Sequence, residues 1–140
     1  MNCLAARKKL KRHVDKQKAA RKKLKIEKYK TDEDFVITES LVAYWWRIII
    51  RAAFQGRMEQ PEIIVKKLRG KWGECTGHFK DGSIVIDISE EIRNRELLIS
   101  IIAHEMVHQW QWKYRSNKMS HGDTFTVWKQ WFKDKFGILI

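Results

Sequence analysis

The stretch Leu97-Leu98-Ile99-Ser100-Ile101-Ile102-Ala103-His104-Glu105-Met106-Val107-His108 decides how the rest of the chain is read. Leu97, Leu98, Ile101, Ile102, Met106 and Val107 supply more apolar surface than a helix with one face in water needs. The pattern predicts a central helix from about Arg95 to Tyr114, with Ser89 or Asn94 as its cap. Into this apolar helix the sequence sets two histidines and a glutamate. Four residues advance a helix by about 6 Å and return the side chain to the same face. His104 and His108 so placed can converge on one Zn²⁺ at about 2.1 Å. Glu105, at the edge of that face, can take a proton from water activated by the metal. An ordinary buried, hydrogen-bonded histidine explains one such residue, whereas three unpaired polar groups in an apolar helix would be costly.

A catalytic zinc is held by three protein ligands plus water. The candidates for the third are His13, His78 and His121. His13 belongs to a strongly basic segment, and His78 to the region of an expected Asp81-Gly82 turn. His121 stands in Ser120-His121-Gly122-Asp123-Thr124-Phe125, after a polar loop at 115–120 that can bring the chain back over the histidine pair. Gly122 would relieve crowding there. His121 is therefore the expected third ligand, with Glu105 the expected general base. Tyr114 is a candidate donor to the oxyanion of a tetrahedral intermediate, or else a packing residue.

Outward from this centre, a last helix is expected from Asp123 to Phe136, ended by Gly137. Upstream, Glu62 to Leu68, Lys71 to Phe79 and Ile84 to Ile88 read as strands, the last two joined as a hairpin. Three strands need helices against one face to be stable. One such helix is marked by Leu41, Trp45, Ile48, Ile49 and Ala52, with Gly56 as terminator and Thr31, Thr38 or Ser40 as alternative caps. Trp72 reads as a cover over the end of the sheet. Trp110 and Trp112 fall on different helix faces, so at least one is expected outside, where tryptophans can stack on unpaired bases as well as pack. The class is α+β, with helices on a small three-stranded antiparallel or mixed sheet.

The length of 140 residues suits one domain. Its net charge of +12 is uneven: residues 1–30 carry thirteen Lys or Arg and two acids, residues 31–140 sixteen and fifteen. We read 1–30 as a basic arm, helical or disordered, and 31–140 as the folded body. Arg7, Lys8, Lys9, Lys11, Arg12, Lys16, Lys18, Arg21, Lys22, Lys23 and Lys25 are the expected contacts to nucleic acid, made mainly to phosphate and without strong sequence preference. Cys3 and Cys75 form no disulfide framework, which fits a reducing compartment. No apolar run reaches membrane-spanning length and no secretory pattern opens the chain, so a cytoplasmic, DNA-associated protein is expected.

Together, His104-Glu105-Met106-Val107-His108 and His121-Gly122-Asp123-Thr124-Phe125 resemble the SprT-like metalloprotease domain, the family that includes the Spartan proteases of DNA–protein crosslinks. Arg69-Gly70-Lys71-Trp72-Gly73-Glu74-Cys75 and Gly82-Ser83-Ile84-Val85-Ile86 are similar to that family's sheet region. The resemblance covers roughly residues 38–136. It implies a minimal zincin-like fold, a third ligand from the His-Gly-x-x-Phe element and thus from His121, one catalytic zinc, DNA-stimulated proteolysis and substrates held on DNA. The Cys-rich zinc module of some bacterial relatives is missing from the sequence, which leaves recruitment to the basic arm. A zinc-dependent nuclease and a nucleic-acid-binding module with a non-catalytic metal site are the alternative readings.

Overall fold

Thr38 fixes where the first helix of the body begins. Its hydroxyl accepts the Leu41 N–H at 3.1 Å, whereas Thr31 to Asp34 form a turn in which the Asp32 carboxylate accepts the Asp34 N–H. In this computed structural model, which describes residues 2–16 and 31–140, the elements run α1 (Cys3–Lys16), α2 (Glu39–Ala53), β1 (Glu62–Lys66), β2 (Gly73–Gly77), β3 (Ile84–Ser89), α3 (Arg95–Tyr114) and α4 (Asp123–Phe136). Among the described residues no helix is long and apolar enough to cross a membrane.

Helix α2 buries Val42, Trp46, Ile50 and Ala53 in addition to most of the expected stripe. Its buried arc is wide because α1 packs against it as well as α3. It stops where Gly56, at φ +70, turns its amide back to the Ile50 carbonyl at 2.9 Å.

The sheet is mixed, in the order β1-β3-β2. Central β3 pairs in parallel with β1 and antiparallel with β2, so Ile63 and Cys75 both lie opposite Ile86. The β2–β3 hairpin closes over 78–83, where Asp81 accepts from the amide and hydroxyl of Ser83. That closure ends β2 before Phe79, two residues earlier than its sequence suggests.

Helix α3 lies across β2. At Gly73 an added Cβ would sit 2.7 Å from Ile101, and at Gly77 2.5 Å from the Trp112 ring. These two glycines let strand and helix approach closely. Asn94 caps α3 by accepting from Glu96 N–H and Leu97 N–H. Helix α4 ends at Gly137, in the left-handed conformation, with the Gly137 and Ile138 amides turned back to Lys133 and Phe132.

Over 3–16 the basic arm takes the helical one of its two expected forms, and this helix packs on the body. Helix α1 is docked on α2 and α4, with Ala6 and Leu10 fully buried. Arg7 Nε donates to the Ala52 carbonyl at 2.7 Å, and Lys9 Nζ sits 4.4 Å from the centre of the Tyr44 ring. Two apolar residues four apart suffice to dock the helix. In the sequence they are hidden among the seven charged residues of the same helix, and the small Ala6 carries no apolar signal of its own. Residues 17–30, with the expected contacts Lys18, Arg21, Lys22, Lys23 and Lys25, lie outside the described residues.

Candidate metal centre

Because α3 is regular through 104–108, His104 and His108 project from one face, and the loop after α3 carries His121 across to them. His121 Nε2 lies 3.1 Å from His104 Nε2 and 3.2 Å from His108 Nε2. Phe125, one turn into α4 and buried, underlies the group: its ring stacks on His108 and contacts His104 and His121. Among the described residues this is the cluster able to hold a metal ion, its three ligand atoms all within 4.8 Å of one another.

Gln111 completes the arrangement, and sequence reasoning passed over it. It is fully buried. Its Oε1 lies 2.9 Å from His108 Nδ1 and accepts the Ser120 N–H at 3.0 Å. Its Nε2 donates to the Ser120 carbonyl and the Thr124 hydroxyl, each at 2.9 Å. Since Oε1 can only accept, His108 must carry a proton on Nδ1, which leaves the Nε2 lone pair facing the other imidazoles. Burial holds the His108 pKa below its usual value, opposed by the Gln111 contact, so the neutral, ligating form is favoured. Three mutually facing ring nitrogens with one tautomer fixed fit a zinc-like cation. The one sequence signal for Gln111 was its place three residues after His108 on the helix.

Glu105 is buried at 5% exposure. Its carboxyl lies against the backbone of Gly73, where an added Cβ would be 3.1 Å from Oε1. Burial first, then the nearby Glu74, pushes its pKa up to about 8, with Lys71 opposing and Asp87 adding. A dication on the histidines would favour the ionised form. Cys75, on the same strand, is held well above the ordinary thiol range by burial and by Glu105, and so stays a thiol.

The other expected residues fall elsewhere. His78 is exposed in the hairpin turn; the His13 side chain lies outside the described residues. Gly122 is the N-cap residue of α4, and an added Cβ would meet only Ser120 Oγ at 3.4 Å, so crowding does not explain it. Of the two roles left open for Tyr114, the packing one describes its contacts: its hydroxyl donates to the Arg57 carbonyl and its ring sits beside Trp110. Trp72 is partly buried against the core, and Trp112 lies under Gly77 against Phe79. Lys8, Lys11 and Arg12 are exposed on α1.

A family model, described as the SprT-like family, matches residues 45–138, which run from within α2 through α4 and include every residue of this centre. The chain belongs to the SprT-like family. Comparison with curated proteins gave no match. Membership is consistent with a metallopeptidase-type domain, and in this SprT-like chain both histidine-bearing segments and the β2 strand behind Glu105 fall inside the matched region.

Proposed function

We propose that this SprT-like chain is a zinc-dependent peptidase that cleaves proteins on or near DNA. The observation that carries the reading is the convergence of three imidazoles, two of them on the helix that also carries the buried Glu105 carboxyl against edge strand β2. His104, His108 and His121 would hold the ion. When bound, zinc supplies Lewis acidity, lowering the pKa of water and polarising a carbonyl.

The chain's own groups do the rest. Ionised Glu105 takes the proton from the attacking water and passes it to the departing amine. Gly73 and the packed helix keep its carboxyl from turning away. Strand β2 is an edge strand, and an extended peptide can pair with such an edge while its scissile bond lies by the carboxyl. The charge of residues 1–30 supports recruitment to DNA.

The test is hydrolysis of an unstructured peptide and of a basic protein on DNA, with and without DNA, by wild type and Glu105→Gln. Peptide cleavage by wild type, lost in the variant, is expected. Scission of an oligonucleotide with no peptide cleavage would replace the reading with a nuclease.

A further inference from the structure

Strand β2 pairs with β3 on one side, and among the described residues no strand pairs with its other edge. Two bonds at its ends fix which backbone groups face that open edge. The Ser89 amide donates to the Trp72 carbonyl at 2.8 Å, and the His78 amide to the Ser83 carbonyl at 2.9 Å. Bonded positions alternate along an antiparallel pair, so in this register Trp72, Glu74, Thr76 and His78 direct their backbone groups to β3. Gly73, Cys75 and Gly77 therefore turn theirs outward. The first and last of these also mark the contact with α3. A Cβ at Gly73 would meet Ile101 and Glu105, and one at Gly77 would meet the Trp112 ring.

Gly73 and Gly77 are about 13 Å apart along the strand, and Glu105 and Trp112 about 10 Å apart along the helix. Strand and helix run side by side in one direction, with the carboxyl at one end of the open edge and the indole at the other. Phe79 joins the indole there, its ring centroid 4.7 Å from that of Trp112. Phe79 is nevertheless 79% exposed, the most open of the large apolar side chains described, and Trp112 is only half-buried. The open edge ends at a bare aromatic ring.

A peptide extended along this edge sets alternate side chains on the α3 face, in line with Gly73, Cys75 and Gly77. Gly77 offers no side chain, so the substrate residue beside it meets Trp112 and Phe79. Neither ring carries a charge, and a large apolar group laid on them removes their exposed surface from water. We propose that Phe79 and Trp112 form a subsite for a large apolar side chain of the substrate, about four residues along the peptide from the bond that is cleaved. The inference rests on the peptidase reading and names a residue class that its substrates carry. Phe79 and Trp112 act on selection and lie apart from the metal ligands and the base.

The experiment offers the full chain, with zinc, a series of unstructured Ser-rich peptides in which a single Leu is stepped along the sequence. Products are mapped by mass. The cleaved bond should move with the Leu and keep a constant spacing of about four residues from it. The favoured bond should exceed its neighbours in kcat/KM by about 3- to 10-fold, mainly through KM. In Phe79→Ser the bond should no longer follow the Leu, and Phe79→Leu should restore part of the preference. Melting temperature and metal content check the fold of both variants. Cleavage that ignores the Leu, or follows it equally well in Phe79→Ser, overturns the subsite and leaves the peptidase standing. The same peptides, labelled, are titrated into Glu105→Gln by fluorescence anisotropy, a readout that needs no turnover. If wild type cleaves nothing, the peptidase reading falls and this binding decides the subsite. Tighter binding of the Leu peptides than of the all-Ser parent, lost when Phe79→Ser is added, keeps it, and equal binding ends it.

Discussion

Gln111 carries no charge, yet it joins the two ligand-bearing segments through one amide. Gln111→Leu removes the acceptor at His108 Nδ1 and both donations, one to the Ser120 carbonyl and one to the Thr124 hydroxyl in α4. Zinc affinity should fall by about 10- to 100-fold, as read by competition with a chromogenic chelator. Gln111→Glu keeps the acceptor and loses the donors, so it should fall between leucine and wild type. Equal affinity in all three proteins would make the contact structural only. Glu105 gives a second prediction, on the metal-free protein. The native carboxyl keeps its proton to about pH 8, whereas an ordinary glutamate releases it near 4.5. Between those values the native state binds more protons than the unfolded chain, so stability falls as pH rises. Glu105→Gln removes this slope. At pH 8 it should exceed wild type by an amount on the order of a few kcal/mol, with the gap closing towards about pH 4. Denaturant melts in chelator at both ends of the window check it, and parallel pH profiles would mean that the fold lets this carboxyl ionise freely. His104, Glu105 and His108 were legible because a helix turns spacing into proximity. Gln111 and Phe125 act across a loop, and only the loop's path reveals their contacts.

At the scale of elements, the approximate limits of α3 and α4 were legible, with Asn94 one of two caps considered and Gly137 the expected terminator. The parallel pairing of β1 with β3 was not, because a strand's own residues do not name its neighbour. Docking of α1 was hidden for a different reason: burial there rests on Ala6 and Leu10 within a highly charged segment. Leu10→Ala should therefore cost about 2–5 kcal/mol in a denaturant melt, although it removes no charge. A cost near zero would mean that the helix is an appendage after all. Deletion of 1–16 should likewise destabilise the body, so the contribution of its charges to DNA affinity is better measured by Lys8→Glu.

Across the whole molecule, the metal ligands come from α3 and from the segment that leads into α4, so an ion bound there ties two helices together. Zinc should raise the melting temperature relative to chelator, by an amount that grows with free zinc. It should also slow amide exchange in the 115–122 loop. His121→Ala should abolish both effects and His78→Ala neither, which thermal scans and hydrogen exchange on the variants will decide. A gain that survives in His121→Ala would place the ion elsewhere.

The narrow fit of Glu105 against Gly73 bears on when disorder is removed. A side chain of this length normally samples several rotamers and must be caught in the reactive one at each encounter. Here helix and strand lie so close that the choice is made as the chain folds. The entropy of fixing the base is charged to folding, once in the protein's life, and no turnover has to supply it again.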